Sequence, residues 1–312
     1  MSLRTFIHDI YDLTRLPLGV MGAIAGLTVG MFVVLIQEKE VGENTILLIL
    51  ELHPQYWELA ILGLSIPFLI IGASMSINDY HDFEADRINK RMDRPLVRNP
   101  DLNPQYVLFL ALVMIAAGIL ISLFLFIDNC LVVIGVAIYS FLAISYNLWT
   151  KERGLLGNIT VAACDTGPYL LALIAMGSGD METTLLVFIM AGITFFGIIG
   201  RELVKGIMDM EGDRITESHT FAVKYGPKRA VQLASFFFFI VIILAPFPLF
   251  IKFYNNLLYA GFMFITIILL FYSILILYRD PSVNAGKKAR SLTRTALWTG
   301  SIAFLVGVLF LP

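Results

Sequence analysis

Charged residues are scarce in this chain. They make up 15% of its 312 residues, and hydrophobic residues make up 58%. In an average soluble protein roughly a quarter of the residues are charged. This composition excludes an ordinary soluble globular protein and indicates an integral membrane protein in contact with lipid. We expect no nucleic-acid partner.

Cysteine is also rare. The two cysteines, Cys130 and Cys164, lie in or at the edge of apolar runs and lack C-x-x-C spacing. The sequence therefore gives no indication of a disulfide framework or a zinc site. Residues 1–17 are polar and mixed rather than basic and then apolar, so we expect no cleavable signal before the first membrane span.

Apolar windows long enough to cross a bilayer, about 20 residues each, recur along the whole chain. We predict nine spans from them. Their approximate limits are 17–36, 58–77, 105–127, 130–149, 155–176, 183–203, 229–251, 257–278 and 292–311.

The basic residues predict the orientation of these spans. All 22 lysines and arginines except Lys39 and Lys252 precede the first window or lie around alternate connections. Because basic residues concentrate on the cytoplasmic side, we expect the amino terminus inside and the carboxyl terminus outside the cell. No separate soluble domain is apparent. We therefore predict one all-α domain over residues 1–312, with nine helices in a bundle around a central cavity.

Two matching acidic segments follow the second and the sixth window. Both read D-x-E-x-D-R-I, from Asp82 to Ile88 and from Asp209 to Ile215. A repeat of this kind predicts two structural halves that bring their acidic segments to one site. The predicted orientation places both segments on the cytoplasmic face.

If helical, each acidic segment presents polar side chains on one face at steps of four residues. These side chains are Asn78, Asp82, Asp86 and Lys90 in the first half, and Arg201, Lys205, Asp209 and Asp213 in the second. Neighbouring carboxylates repel each other unless a cation lies between them. Mg²⁺ typically takes one or two carboxylates together with phosphate oxygens and water, and arginine or lysine pairs with phosphate. A lipid diphosphate, whose hydrocarbon tail fits the apolar body, suits this pattern.

Particular motifs resemble the UbiA superfamily of intramembrane prenyltransferases. The residues from Asn78 to Asp86, with Arg94-Pro95-Leu96 downstream, resemble its N-D-x-x-D-x-x-x-D signature, and Asp209-x-x-x-Asp213 resembles its second D-x-x-x-D. Tyr146 to Lys151, followed by Gly157-Asn158, is similar to its Y-x-x-x-x-K and G-N segments.

Three short stretches resemble one particular group within this superfamily. They are Asp86 to Asn89, Arg201 to Lys205 and Ala222 to Gly226. Within the superfamily these stretches most resemble the archaeal digeranylgeranylglyceryl phosphate synthases.

The resemblance implies a nine-helix fold and Mg²⁺-dependent transfer of a polyprenyl group, most simply geranylgeranyl, from its diphosphate. The implied metal ligands are Asn78, Asp82, Asp86, Asp209 and Asp213. The implied diphosphate-binding residues are Arg94, Lys151, Asn158, Arg201 and Lys205. The candidates for catalysis are Asp79, Tyr146, Lys151 and Asp165.

Three of these candidates differ in how far their roles are defined. Tyr146 could stabilise an allylic cation through its ring. Asp79 either assists proton removal or supports the site indirectly. Asp165 lies well inside the fifth window, where an isolated acid is costly; lining the acceptor cavity, acting as a base and making a structural hydrogen bond all remain open.

The acceptor implied by the resemblance is geranylgeranylglyceryl phosphate, which would give an ether-lipid precursor. One alternative is an aromatic acceptor of quinone biosynthesis, such as 4-hydroxybenzoate. Another is a cation transporter, but the acids cluster at one membrane face, whereas carriers place their sites near the midplane.

Overall fold

The computed structural model describes residues 3–38, 54–88, 90–151, 153–177, 181–215, 219–250 and 256–309. This described part of the chain is helical apart from short connections, and it contains no β-strand. Two compact units are present. The first comprises Met1–Leu27 and Pro54–Leu148, and the second comprises Thr28–His53 and Trp149–Pro312. Each unit contains one of the two acidic segments.

The first unit is built around the helix that precedes the first acidic segment. Its small and aliphatic residues Ala73 and Ile77 pack against Ala111 and Met114 of a neighbouring helix, and all four are buried. The helices from Leu3 to Ser145 are α1 Leu3–Leu13, α2 Leu16–Glu38, α3 Pro54–His81, α4 Phe83–Ile88, α5 Pro95–Arg98, α6 Pro104–Leu125 and α7 Cys130–Ser145, followed by a π-helical turn, Tyr146–Thr150. Of these, the part of α2 from Thr28 and the part of the turn from Trp149 belong to the second unit.

The second unit is built around one long helix, Met181–Ile215, which packs chiefly against three other long helices. The helices here are α8 Leu155–Met176, α9 Met181–Ile215, α10 Phe221–Tyr225, α11 Pro227–Leu244, a 3₁₀ turn Phe247–Phe250, α12 Asn256–Arg279 and α13 Val283–Leu309. The partners of α9 are α8, α11 and α13. Of the seven described helices that are by themselves long and apolar enough to cross a membrane, the one that carries the second acidic segment is the most buried.

The all-helical membrane class predicted from composition is confirmed. Within the described ranges, seven helices are long and apolar enough to cross a membrane, or eight if α1 and α2 count as one bent span. Each of the nine predicted windows lies largely on one of the long helices. The count of nine spans itself stays a prediction.

Two helices extend furthest beyond their predicted windows. The sixth window ends at residue 203, and α9 continues from there to Ile215, so the second acidic segment is helical. An ion pair between Glu202 and Lys205, one turn apart at 3.2 Å, supports the helix at the end of the window. The ninth window was predicted to begin at 292, yet α13 begins at Val283. The hydroxyl of Ser282 accepts a hydrogen bond from the Ala285 backbone at 3.3 Å and so caps its start.

Candidate functional site

The first acidic segment lies where α3 ends. The helix stops at His81, Asp82 occupies a turn, and α4 begins one residue later. Backbone hydrogen bonds from Asp82 to Asn78, at 2.9 Å, and from Asp86 to Asp82, at 2.8 Å, nevertheless keep the helical spacing across this break. The amide of Asn78 donates to the carboxylate of Asp82 at 3.2 Å. The segment therefore presents an amide and two carboxylates in helical register.

Asp79 is the most enclosed charged side chain of this segment. It is only 1% exposed, and its carboxylate binds Arg15 at 2.9 Å and Arg94 at 3.0 Å. Arg94 also lies 3.4 Å from the carboxylate of Asp86, through its Nε atom. Arg91 lies 3.4 Å from the same residue. Arg94 thus connects the buried Asp79 with the acidic face, and Asp79 fixes where Arg94 lies.

Arg15 was not among the residues singled out in the sequence. It lies where α1 and α2 meet at a bend of 59°. Its φ of 47° is in the left-handed region, which non-glycine residues adopt rarely and at some cost. Its guanidinium binds Asp79 and also donates to the backbone carbonyl of Asp12. These contacts hold the strained backbone in place and supply a second cation to Asp79.

The segment with Y-x-x-x-x-K spacing adopts an unusual conformation. After α7, residues Tyr146–Thr150 form a π-helical turn, a feature that occurs often at functional sites. The side-chain amide of Asn147 is buried and donates to the Ser74 carbonyl at 2.9 Å, to the Ser74 hydroxyl at 3.0 Å and to the Ala143 carbonyl at 3.0 Å. This anchors the turn to α3 one helical turn before Asn78. Tyr146, half-buried, begins the same turn.

The second acidic segment lies on α9 itself. The carboxylate of Asp213 accepts a hydrogen bond from the hydroxyl of Thr220 at 3.0 Å. Asp209, Lys205 and Lys151 all act electrostatically on Asp213. The fold thus brings Lys151, from the end of the π-helical turn, to the acidic face of α9. This unit therefore combines two carboxylates with two lysines.

Glu202 organises the cations that precede this acidic face. It is 8% exposed, and its two carboxylate oxygens bind Arg201 at 2.6 Å and Lys205 at 3.2 Å. Arg201 and Glu202 also act electrostatically on Asp165, so this predicted candidate belongs to the same neighbourhood. The sequence did carry a signal for Glu202: an acid between two cations, inside a predicted membrane window.

Gly157 allows α8 to begin directly against the π-helical turn. A Cβ atom at this position would lie 2.6 Å from the carbonyl oxygen of Thr150 and 3.0 Å from that of Lys151. Both are backbone atoms, so the turn would have to move. Asn158, a predicted diphosphate ligand, follows in the first turn of α8 and is half-buried.

We expect Gly157→Ala to displace Lys151. The variant should lose about 1–3 kcal/mol of stability, as overpacked sites do, and its KM for a prenyl diphosphate should rise. The control is Gly261→Ala, because an added Cβ there has no neighbour within 4 Å. Thermal unfolding and steady-state kinetics of both variants in detergent test this, and an unchanged KM in Gly157→Ala would contradict it.

The oxygen donors fit Mg²⁺ that is shared with a substrate. Within the described ranges, no group of three or more histidine, cysteine, aspartate or glutamate side chains is close enough to hold a metal ion by itself. Mg²⁺ takes few protein ligands and completes its shell with phosphate and water. The donors present, carboxylate and amide oxygens only, match that preference.

Each unit thus gathers part of the predicted residue set. In the first unit these are Asn78, Asp79, Asp82, Asp86 and Arg94. In the second they are Lys151, Asp165, Arg201, Lys205, Asp209 and Asp213. Sequence reasoning missed Arg15, Asn147, Glu202 and Thr220.

Comparisons with known proteins agree with this architecture. Residues 45–300 match the UbiA prenyltransferase family. The chain is 31% identical over 308 residues to a digeranylgeranylglyceryl phosphate synthase of Archaeoglobus fulgidus, which covers 98% of this chain and 97% of that protein. It is 33% identical over 232 residues to the enzyme of that name from Pyrococcus furiosus, covering 74% of this chain and 78% of that protein.

Solved structures have the same fold. One, from work on digeranylgeranylglyceryl phosphate synthase in membranes, superposes with a TM-score of 0.72 at 22% identity and covers 97% of this chain and 98% of that one. A UbiA homolog from Archaeoglobus fulgidus bound to DMAPP and Mg²⁺ gives a TM-score of 0.62 at 15% identity, covering 95% and 99%. From the match over most of its length and from its named relatives, this chain belongs to the UbiA prenyltransferase family.

Proposed function

We propose that the protein transfers a geranylgeranyl group from its diphosphate to geranylgeranylglyceryl phosphate, which gives the diether precursor of a membrane lipid. The main support for this proposal is the similarity of nearly the whole chain to a digeranylgeranylglyceryl phosphate synthase, at 31% identity over 98% of the chain. Several further relatives have the same name. They support this function over an aromatic acceptor and over cation transport.

The two acidic segments supply the metal ligands in this proposal. Asn78, Asp82 and Asp86 of the first unit, and Asp209 and Asp213 of the second, would hold Mg²⁺ on the diphosphate. When bound, Mg²⁺ neutralises charge that develops on the leaving diphosphate. That both segments serve one substrate is a prediction from their repetition in the sequence.

Cationic side chains complete the diphosphate site. Arg94 is oriented by Asp79, and Lys205 is oriented by Glu202. Lys151 adds a third positive charge near Asp213. Such fixed charges favour bond breaking because they do not have to reorganise as charge moves onto the departing group.

The reaction forms one ether bond and breaks one phosphate ester bond. The glycerol hydroxyl oxygen bonds to C1 of the prenyl chain, the bond between C1 and the diphosphate oxygen breaks, and diphosphate leaves with the electron pair. The tyrosine ring of Tyr146 would stabilise positive charge on the allylic carbons. The apolar surroundings keep out water that would otherwise capture the cation.

The hydroxyl proton needs an acceptor. The carboxylate of Asp79 already binds two guanidinium groups, those of Arg15 and Arg94. The geometry therefore favours an orienting role for Asp79. Asp165, beside Arg201 and Glu202, is the acid that we propose as the base.

Incubation of the purified protein with radiolabelled geranylgeranyl diphosphate and Mg²⁺ tests the acceptor. We expect product with geranylgeranylglyceryl phosphate and none with 4-hydroxybenzoate. Product with 4-hydroxybenzoate alone would assign the protein to quinone biosynthesis. Cation flux into proteoliposomes that is unaffected by prenyl diphosphate would support a transporter instead.

The protein is an integral membrane protein, as its family and its apolar helices show. We propose in addition that the amino terminus and the active site face the cytoplasm and that the carboxyl terminus lies outside. The distribution of lysine and arginine between alternate connections supports this orientation.

A further inference from the structure

Two arginines of the second unit, Arg201 and Arg290, use only part of their hydrogen-bond donors. Arg201 uses one terminal nitrogen on Glu202, but its Nε atom is buried and has no hydrogen-bond partner among the described residues. Arg290, on α13, donates from Nη1 to the sulfur of Met208 at 3.6 Å. A thioether is a weak acceptor, and a guanidinium carries five N–H groups. Both side chains can therefore bind an additional acceptor.

Three cations surround Glu202. Lys205, Arg201 and Arg290 all act electrostatically on its carboxylate, and Arg201 and Glu202 also act on Asp165. Of the three cations, Lys205 also acts on Asp213 at the acidic face. Arg201 and Arg290 are therefore the cations of this cluster that we consider for a second anion.

Close helix packing positions Arg290. One turn before it, Gly286 approaches α9 so closely that an added Cβ would lie 3.0 Å from both the Cα and the backbone nitrogen of Met208. Gly286 and Arg290 share a helix face, so this contact places the arginine against α9 directly before Asp209. The position is determined by two rigid helices rather than by a loop.

We propose that Arg201 and Arg290, oriented by Glu202 and Met208, bind the phosphate monoester of the acceptor lipid. This inference rests on the proposed function, which supplies a phosphorylated acceptor. A phosphate monoester carries nearly two negative charges and three acceptor oxygens, and arginine pairs with it through two parallel hydrogen bonds. Arg201, predicted from the sequence as a diphosphate ligand, is thereby assigned to the acceptor, and Lys205 remains for the diphosphate.

The test compares two acceptors that differ only in the phosphate. Wild type, Arg290→Met and Arg290→Lys are assayed with geranylgeranylglyceryl phosphate and with geranylgeranylglycerol, at saturating geranylgeranyl diphosphate and Mg²⁺. In Arg290→Met we expect KM for the phosphorylated acceptor to rise about tenfold or more, as loss of a charge-assisted hydrogen bond does. The preference for that acceptor should fall by the same factor, and KM for geranylgeranyl diphosphate should stay within about twofold of the wild-type value.

The conservative variant and a matched control separate binding from folding. Arg290→Lys should recover part of the preference because it retains the charge without the paired hydrogen bonds. Arg294→Met, at an exposed position one turn further along α13, should behave as wild type in both measurements. An unchanged preference in Arg290→Met, or a rise in KM for geranylgeranyl diphosphate instead, would overturn the proposal.

A direct binding measurement distinguishes failure of this inference from failure of the proposed function. Phosphorus-32-labelled geranylgeranylglyceryl phosphate is bound to detergent-solubilised protein without the prenyl donor. If wild type turns over neither acceptor yet binds this probe in a manner that depends on Arg290, the proposed function fails and the phosphate site stands. Binding that is independent of Arg290 would overturn the site. Equal competition by a phosphodiester lipid such as phosphatidylglycerol would also overturn it, because the site would then recognise lipid headgroups.

Discussion

Replacement of Asp82 or Asp213 with alanine is expected to abolish Mg²⁺-dependent release of diphosphate from geranylgeranyl diphosphate, while the protein stays folded in the membrane. Each change removes a carboxylate that we propose as a metal ligand. The side chain of Asp82 is 23% exposed, so this change lies outside the fully buried interior. We expect kcat to fall by about 10²-fold or more, as it does when an electrostatic partner of the transition state is removed.

The repeated glutamates supply matched controls. Glu84 and Glu211 occupy equivalent positions in the two acidic segments, and both are exposed. Glu84 pairs on the surface with Arg87 at 2.8 Å, an interaction of little energetic value. Glu84→Ala and Glu211→Ala should therefore retain turnover close to wild type. Full turnover in Asp82→Ala or Asp213→Ala, measured as diphosphate release from membranes with equal protein content, would show that the metal assignment is wrong.

Replacement of Asp79 with alanine is expected to destabilise the protein by about 3–5 kcal/mol, the range found when one partner of a buried ion pair is removed. The change leaves Arg15 and Arg94 without the carboxylate that both bind. It also removes the contact that holds Arg15 in its left-handed conformation. Denaturant unfolding in detergent measures the loss. Asp93→Ala is the control, because Asp93 is exposed and pairs with Arg91 at 3.3 Å.

Asp79→Asn distinguishes an orienting role from that of a base. The amide keeps the shape and one oxygen acceptor but loses the charge. If Asp79 orients Arg94, the variant should show a raised KM for geranylgeranyl diphosphate and should retain measurable kcat. A variant that is as stable as wild type, with normal KM and no turnover, would instead identify Asp79 as the base.

Local periodicity was the most informative part of the sequence. The four-residue spacing of Asn78, Asp82 and Asp86 depends only on helix geometry, and it survives even though α3 ends at His81. The membrane class followed equally well from the apolar windows, because about 20 apolar residues in succession have few other uses. The family followed from the two motifs and is confirmed by the comparisons.

Contacts between distant residues could not be predicted in this way. Arg15 and Asp79 are 64 positions apart in the sequence, and no spacing rule connects them. The same holds for Arg290 and Met208, which are 82 positions apart in the sequence and which the fold brings into contact. The limit of the sixth window came from hydropathy, which falls near Arg201, and hydropathy alone does not show that α9 continues to Ile215.

The unbroken course of α9 makes its residue count a determinant of the site. From Met181 to Ile215 it is one helix of 35 residues. Successive side chains in a helix are rotated by about 100° about the helix axis. The direction in which Asp209 and Asp213 point around the helix axis therefore depends on the packing of buried residues such as Leu186 and Met190, which lie several turns earlier. A one-residue insertion anywhere between them would leave hydropathy and charge intact, yet it would turn the carboxylates toward a different neighbour.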